Sequence, residues 1–116
     1  VYFDKIINGL FLPWKGNIWL NPPYSAPLPW IEHLFAQCDN GNLLSALVLL
    51  NTANSPKWAQ LLWQSSGSVC LLNSRVQYWH PDRPEGKTGD RDSMIWYIGN
   101  NHARFRSVFE ELGTIR

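Results

Sequence analysis

Gly16-Asn17-Ile18-Trp19-Leu20-Asn21-Pro22-Pro23-Tyr24 is the stretch on which the fold turns. Residues 17–20 read as a short buried strand. Prolines at 22, 23, 27 and 29 end it sharply, because proline has no N–H for a ladder and locks its own φ. Over residues 29–38 the period changes: Trp30, Ile31, Leu34, Phe35 and Cys38 fall on one helical face. Asn40-Gly41-Asn42 stops that helix. A strand, a stiff turn and a helix in this order open a βα unit.

The pattern continues outward. Residues 43–50 are almost all apolar, interrupted by Ser45, as expected of a central parallel strand covered on both faces. Ser55 is placed to cap a helix with Pro56 at its first position and a stripe of Trp58, Leu61 and Leu62. Gly67 precedes a strand over 68–72. Residues 75–79 extend the sheet or begin a new strand, and 80–92, rich in Pro, Gly and charge, read as a loop. Residues 93–98 form a strand with Met94, Trp96 and Ile98. Asn101 caps a last helix with Phe105, Val108, Phe109 and Leu112 on one face, and Gly113 ends it. Residues 1–14 carry no clear period. The alternation implies an α/β sheet with right-handed crossovers, whose ligand site lies beyond the carboxyl ends of the strands. Asn21–Tyr24 and Asn51-Thr52 both sit at such ends and would share a cleft.

At 116 residues the chain is sized for one domain. It is 45% hydrophobic and 16% charged, which rules out global disorder. The longest apolar run is too short to span a bilayer, so no membrane is expected. No secretion signal opens the chain. Cys38 and Cys70 make neither a disulfide framework nor a metal set and read as buried thiols in a reducing compartment. His33, His80 and His102 have no ligand spacing, so no metal is expected. The chain begins at Val1 and its only methionine is Met94, which suggests a fragment or a trimmed domain. Of the seven tryptophans, Trp19, Trp30, Trp58 and Trp96 fall on apolar faces and are expected in the core.

The turn after the first strand carries chemistry. The Asn21 side-chain oxygen and the Pro22 carbonyl can accept two hydrogen bonds, the prolines hold the corner stiff, and Tyr24 offers a flat aromatic face. That set fits a planar, conjugated amine with two N–H donors. Two acceptors draw the amine lone pair out of conjugation and aim it at an electrophile, a gain of orientation and of charge stabilisation.

With these residues, the chain resembles the phage-type DNA N6-adenine methyltransferases, the Dam family of phages and prophages. Gly16–Leu20 followed by Asn21-Pro22-Pro23-Tyr24-Ser25 carries the likeness. Asn8-Gly9-Leu10 with Trp14 resembles the family's lead-in, and 47–52 followed by Trp58 its next strand, turn and helix. Arg75 with Val76 and Tyr78 resembles a later strand, with Ser74 in place of a glycine. Residues 93–99 and 105–113 resemble the last strand and helix. The resemblance implies a Rossmann-like class I S-adenosylmethionine-dependent methyltransferase fold. The whole of 1–116 would be a single catalytic domain, its C-terminal portion, from the strand before Asn21 onward. It implies S-adenosylmethionine as donor and adenine in double-stranded DNA as acceptor, flipped from the stack at a cost of about a few kcal/mol. Asn21, Pro22 and Tyr24 would hold the amine and base, Pro23 would shape the turn, and Asn21 would also meet the donor; from its place at a strand end, Asn51 with Thr52 faces the donor or the base, or is a plain turn. The family's donor-binding strand, which ends in an acid, would precede Val1. The only early acid is Asp4, so the fold is expected to be N-terminally truncated and to bind the donor weakly or not at all.

The loop offers Arg83, Lys87 and Arg91 to phosphates, although Asp82, Glu85, Asp90 and Asp92 nearly cancel their charge. Arg75 can meet a phosphate or pair with an acid of the fold. Trp79 is the best placed stacking platform. The implied setting is the cytoplasm of a bacterial host, for a phage- or prophage-encoded protein. A half-sheet with an uncovered edge would tend to self-associate. Three other readings compete: a non-catalytic remnant that binds DNA or a protein, a methyltransferase acting on glutamine side chains or RNA bases, and a sugar-binding module, which the α/β alternation disfavours.

Overall fold

The apolar run at residues 43–50 becomes the strand around which everything else is arranged. The computed structural model describes residues 14–23, 25–80, 83–88 and 91–116, without the side chains of 77–80 and 83–88. In chain order the elements are β1 (Gly16–Leu20), α1 (Leu28–Asp39), β2 (Leu43–Asn51), α2 (Lys57–Trp63), β3 (Ser68–Leu72), β4 (Gln77–His80), β5 (Arg83–Thr88), β6 (Ser93–Ile98), α3 (His102–Phe109) and β7 (Gly113–Ile115). Five strands form one sheet in the order β1-β2-β6-β3-β7, and β4 and β5 form a separate hairpin.

Along β2, side chains alternate between two cores, as a pleated strand buried on both faces requires. Ala46, Val48 and Leu50 join Ile18, Leu20, Trp30, Ile31, Leu34, Leu62 and Trp96 on the face covered by α1 and α2. Leu49 and Leu47 face the other way, toward Cys70, Ile95, Phe105 and Ile115 under α3. An α/β fold with helices on both faces of a sheet is therefore present.

The sheet is mixed rather than parallel. β1 and β2 are parallel, joined by the α1 crossover. β6 lies antiparallel between β2 and β3, and β7 lies antiparallel to β3. The cause is the hairpin. β3 ends at the same edge of the sheet as β1 and β2, the hairpin returns the chain to that edge, and β6 can then only run back down the gap.

Several local expectations change. Residues 80–92 are not simply a loop: Gln77 pairs with Thr88, Tyr78 with Lys87 and His80 with Arg83. Pro84 and Gly86 suggested an irregular segment, but in a two-stranded ribbon each strand is an edge and tolerates a missing donor. α2 begins at Lys57, with Pro56 outside it at ψ 149°, so Ser55 makes no side-chain cap. α3 stops at Phe109, and Gly113 opens β7 instead of closing the helix. A Cβ at Gly113 would overlap the Leu71 carbonyl oxygen, which is why glycine stands there. Val108 and Leu112 are exposed because α3 covers β3 and β7 rather than β1 and β2. The same offset leaves Trp19 41% exposed, so it is not a core residue. Trp30 and Trp96 are buried and Trp58 is half-buried.

Two caps act as read. Asn101 accepts from the Arg104 backbone N–H at 3.1 Å. Asn40 closes α1, followed by Gly41 at φ 75°. Buried Gln37 near the end of α1 was not foreseen as a tie. Its Oε1 accepts from the Trp14 N–H at 3.1 Å and from Asn42 Nδ2 at 3.0 Å. One side chain thus binds the residues that enter β1 to the turn that enters β2. Among the described residues no helix is long and apolar enough to cross a membrane.

Candidate active site

The strand directions bring chemistry-bearing residues to one edge. β1, β2 and β3 all end there, and β6 begins there. Asn21 follows β1 directly and is exposed, while Pro22 beside it is buried. The alternation has a simple origin: Ile18 and Leu20 are driven into the core, so the chain leaving Leu20 must lift one residue out before Pro22 packs down. Pro23 is half-buried, and its carbonyl accepts from the Ala26 N–H at 3.2 Å, closing a tight turn. Pro27 is buried where α1 begins. The corner is thus held from both sides, with the Asn21 side chain on the open surface. Tyr24 lies outside the described residues.

Asn51, half-buried, ends β2 and pairs with Ser93. The next residue is fixed as well: the Thr52 N–H donates to the Asp92 carbonyl at 2.9 Å. Asn21 and Asn51 therefore stand at the ends of two adjacent parallel strands, as the spacing suggested. Arg75 pairs with an acid: its Nε lies 3.6 Å from Asp92 Oδ1, with both side chains largely exposed. Arg91 is exposed near the same edge. Trp79, Arg83 and Lys87 fall on the hairpin strands, and their side chains lie outside the described residues. Asp92 is the residue that sequence reading missed. Its value comes from contacts with Thr52 and Arg75, far from it in the chain, which no local pattern reveals.

Other polar and aromatic features lie elsewhere. Ser68 Oγ and His102 Nδ1 are 2.6 Å apart, with the Tyr97 ring edge-on to His102 at 5.2 Å. Ser68 starts β3, so this pair is at the opposite edge from Asn21. A groove of about 530 Å³ also opens toward that opposite edge, between α3 and β2, lined by Asn17, Leu44, Ser45, Tyr97, Arg104 and Val108. Burial raises the Cys38 thiol above its ordinary value, with Asp39 adding to the effect, and burial alone raises Cys70. Both thiols are free and unactivated. Among the described residues no cluster of His, Cys, Asp and Glu is arranged to hold a metal.

The family model described as DNA N-6-adenine-methyltransferase (Dam) matches residues 2–111. A curated relative, the DNA N-6-adenine-methyltransferase of Haemophilus phage HP1, is 33% identical over 73 residues, which are 61% of this chain and 42% of the phage protein. The matched stretch thus spans less than half the length of that relative. No solved structure matches the chain. With nearly its full length covered by one family model, the chain belongs to the DNA N-6-adenine-methyltransferase (Dam) family.

Proposed function

We propose that the protein transfers a methyl group from S-adenosylmethionine to the exocyclic amine of an adenine flipped out of double-stranded DNA. The observation that carries this reading is the corner itself: an exposed amide, Asn21, on a proline turn anchored by buried Pro22, at the end of the first of two adjacent parallel strands. Asn21 Oδ1 and the Pro22 carbonyl accept from the two amine hydrogens, and Tyr24 stacks on the base. As the methyl arrives, the nitrogen gains positive character, and the same two acceptors stabilise it more than they stabilise the ground state. The donor, when bound, would supply the electrophilic methyl, its sulfur leaving as a neutral thioether, and the methylated amine would lose one proton to solvent. Asn21 and Asn51 suit its polar groups from one side only. No acid stands free at the ends of β1 and β2 among the described residues, since Asp92 is engaged by Arg75.

The sheet with helices on both faces and a parallel β1-α1-β2 unit supports a Rossmann-like fold for this reading. The hairpin rises from the edge that carries Asn21, which suits Arg83, Lys87 and Trp79 to the DNA backbone and to an unstacked base, with Arg91 at its foot. Self-association would run through the edge of β1, which has one strand partner among the described residues. Free thiols suit the cytoplasm of a bacterial host.

The decisive experiment incubates the protein from its full reading frame with labelled donor and unmethylated duplex. Label recovered as N6-methyladenine, with kcat lowered about 10²- to 10³-fold by Asn21→Ala, is the expected result. Label on protein would redirect the substrate, and DNA binding without label would mark a non-catalytic remnant.

A further inference from the structure

We infer that the Arg75–Asp92 pair is a clamp at the foot of the β4–β5 hairpin that sets how the hairpin stands over the Asn21 edge, making both residues positioning residues for duplex binding. The inference rests on the proposed DNA reading of that edge.

The two residues lie on opposite legs of the hairpin. Arg75 is between β3 and β4, and Asp92 is between β5 and β6. Their side chains meet at 3.6 Å, so the pair closes the hairpin at its base. The base is also fastened to its surroundings on both sides. Thr52 N–H donates to the Asp92 carbonyl at 2.9 Å, which joins the second leg to the turn after β2. Asn73 N–H donates to the Leu112 carbonyl at 2.9 Å, which holds the first leg against the chain entering β7. Backbone bonds therefore fix where each leg leaves the sheet, and the ion pair links one leg to the other at that level. Thr52 adjoins Asn51, so the clamp is tied by a backbone bond to the strand next to the one that carries Asn21.

Energetics favour a positioning role over a stabilising one. Both side chains are mostly solvated, at 51% and 76% exposure, and such pairs change a folding equilibrium by at most about fivefold. The same bias applied to the angle of a ribbon would alter the fraction of molecules ready to receive a duplex by about the same factor, without altering the chemistry once it is seated. The competing role for Arg75 is direct phosphate contact. The two differ in salt dependence, because a lost phosphate contact lowers the slope of log affinity against log salt by about one.

The test uses Arg75→Asp, Asp92→Arg and the double swap in the protein from its full reading frame. Amide hydrogen exchange over residues 77–88 is measured first, without DNA. Exchange should quicken about two- to fivefold in each single variant and recover in the swap, with the urea midpoint nearly unchanged. Unchanged exchange in the singles, or no recovery in the swap, overturns the clamp whatever the substrate proves to be. Steady-state methylation of a duplex is measured second. KM for DNA should rise about two- to fivefold in the singles with kcat unchanged, and return in the swap with the salt slope preserved. A slope lowered by about one in Arg75→Asp and retained in the swap overturns the positioning role in favour of phosphate contact. Wild-type protein that neither binds nor methylates DNA, with the exchange result intact, refutes the DNA reading and leaves the clamp as a feature of the hairpin alone.

Discussion

Replacing Gln37 by leucine should destabilise the chain by about 2–3 kcal/mol, although leucine nearly preserves the volume. Gln37 Oε1 accepts two hydrogen bonds, one from the backbone of Trp14 and one from the side chain of Asn42. Trp14 is fully buried, its ring stacked on Trp30 with centroids 6.1 Å apart and in edge contact with His33 at 4.6 Å. Its buried N–H loses this acceptor when Gln37 is replaced. An orphaned buried donor costs about 1–3 kcal/mol, and the second bond adds about 1 kcal/mol, offset in part by the gain from burying an apolar side chain. Asn42→Ala supplies the contrast. It removes the outer bond while leaving Trp14 satisfied, so it should cost about 1 kcal/mol or less. Urea unfolding followed by circular dichroism reads the difference, and with m near about 2 kcal/mol/M the Gln37→Leu midpoint should fall by about 1–1.5 M. A Gln37→Leu midpoint within about 0.3 M of wild type, or no lower than that of Asn42→Ala, would refute the claim that a buried donor depends on this side chain.

Gly113→Ala places a methyl against the Leu71 carbonyl and should loosen β7 from β3, losing the paired bonds between Val69 and Arg116 and the cover of Ile115 over Cys70. A cost of about 2–4 kcal/mol is expected, with amide exchange quickened in residues 113–116 ahead of the rest; a neutral substitution would show that the close approach relaxes freely. Because Cys38 and Cys70 are both held above the ordinary thiol value of 9.0, the native state keeps its protons where unfolded thiols lose theirs. Their contribution to stability is complete below pH 9 and is lost as pH climbs through the raised values. Thiol labelling at pH 8 should therefore be slow in the native protein and fast in urea. Cys70→Ala should flatten the fall in urea midpoint between pH 8 and pH 10; an equal fall would refute the effect.

The elements that local chemistry controls could be read in advance. α1 follows from a period of apolar residues with prolines before it and Asn40-Gly41 after it. β2 follows from a run too apolar to be anything but covered on both faces, and the start of α3 follows from one asparagine oxygen. The corner at Asn21 and Pro22 was legible for the same reason, since proline acts on its own neighbours. What could not be read depends on partners distant in the chain. The direction of β6 is set by the hairpin before it, and the hairpin by cross-strand pairing that outweighs Pro84 and Gly86. β7 exists because Gly113 admits the backbone of Leu71. Trp19, Val108 and Leu112 have core-like spacing, and only the sideways offset of α3 leaves them in water. Arg75 offered two partners on paper, and the choice of Asp92 required the sheet to bring the two legs together.

The place of β6 has a kinetic consequence. During synthesis β2 emerges early, and β1 can satisfy only one side of it. Its other side waits for residues 93–98, which also complete β3. Until that late strand threads in, two of the most apolar segments present unsatisfied backbone to any neighbour, so nascent chains are most exposed to mispairing just before residues 93–98 leave the ribosome. The arrival of β6 between β2 and β3 then ends the period of risk, with β7 left to cover the outer side of β3.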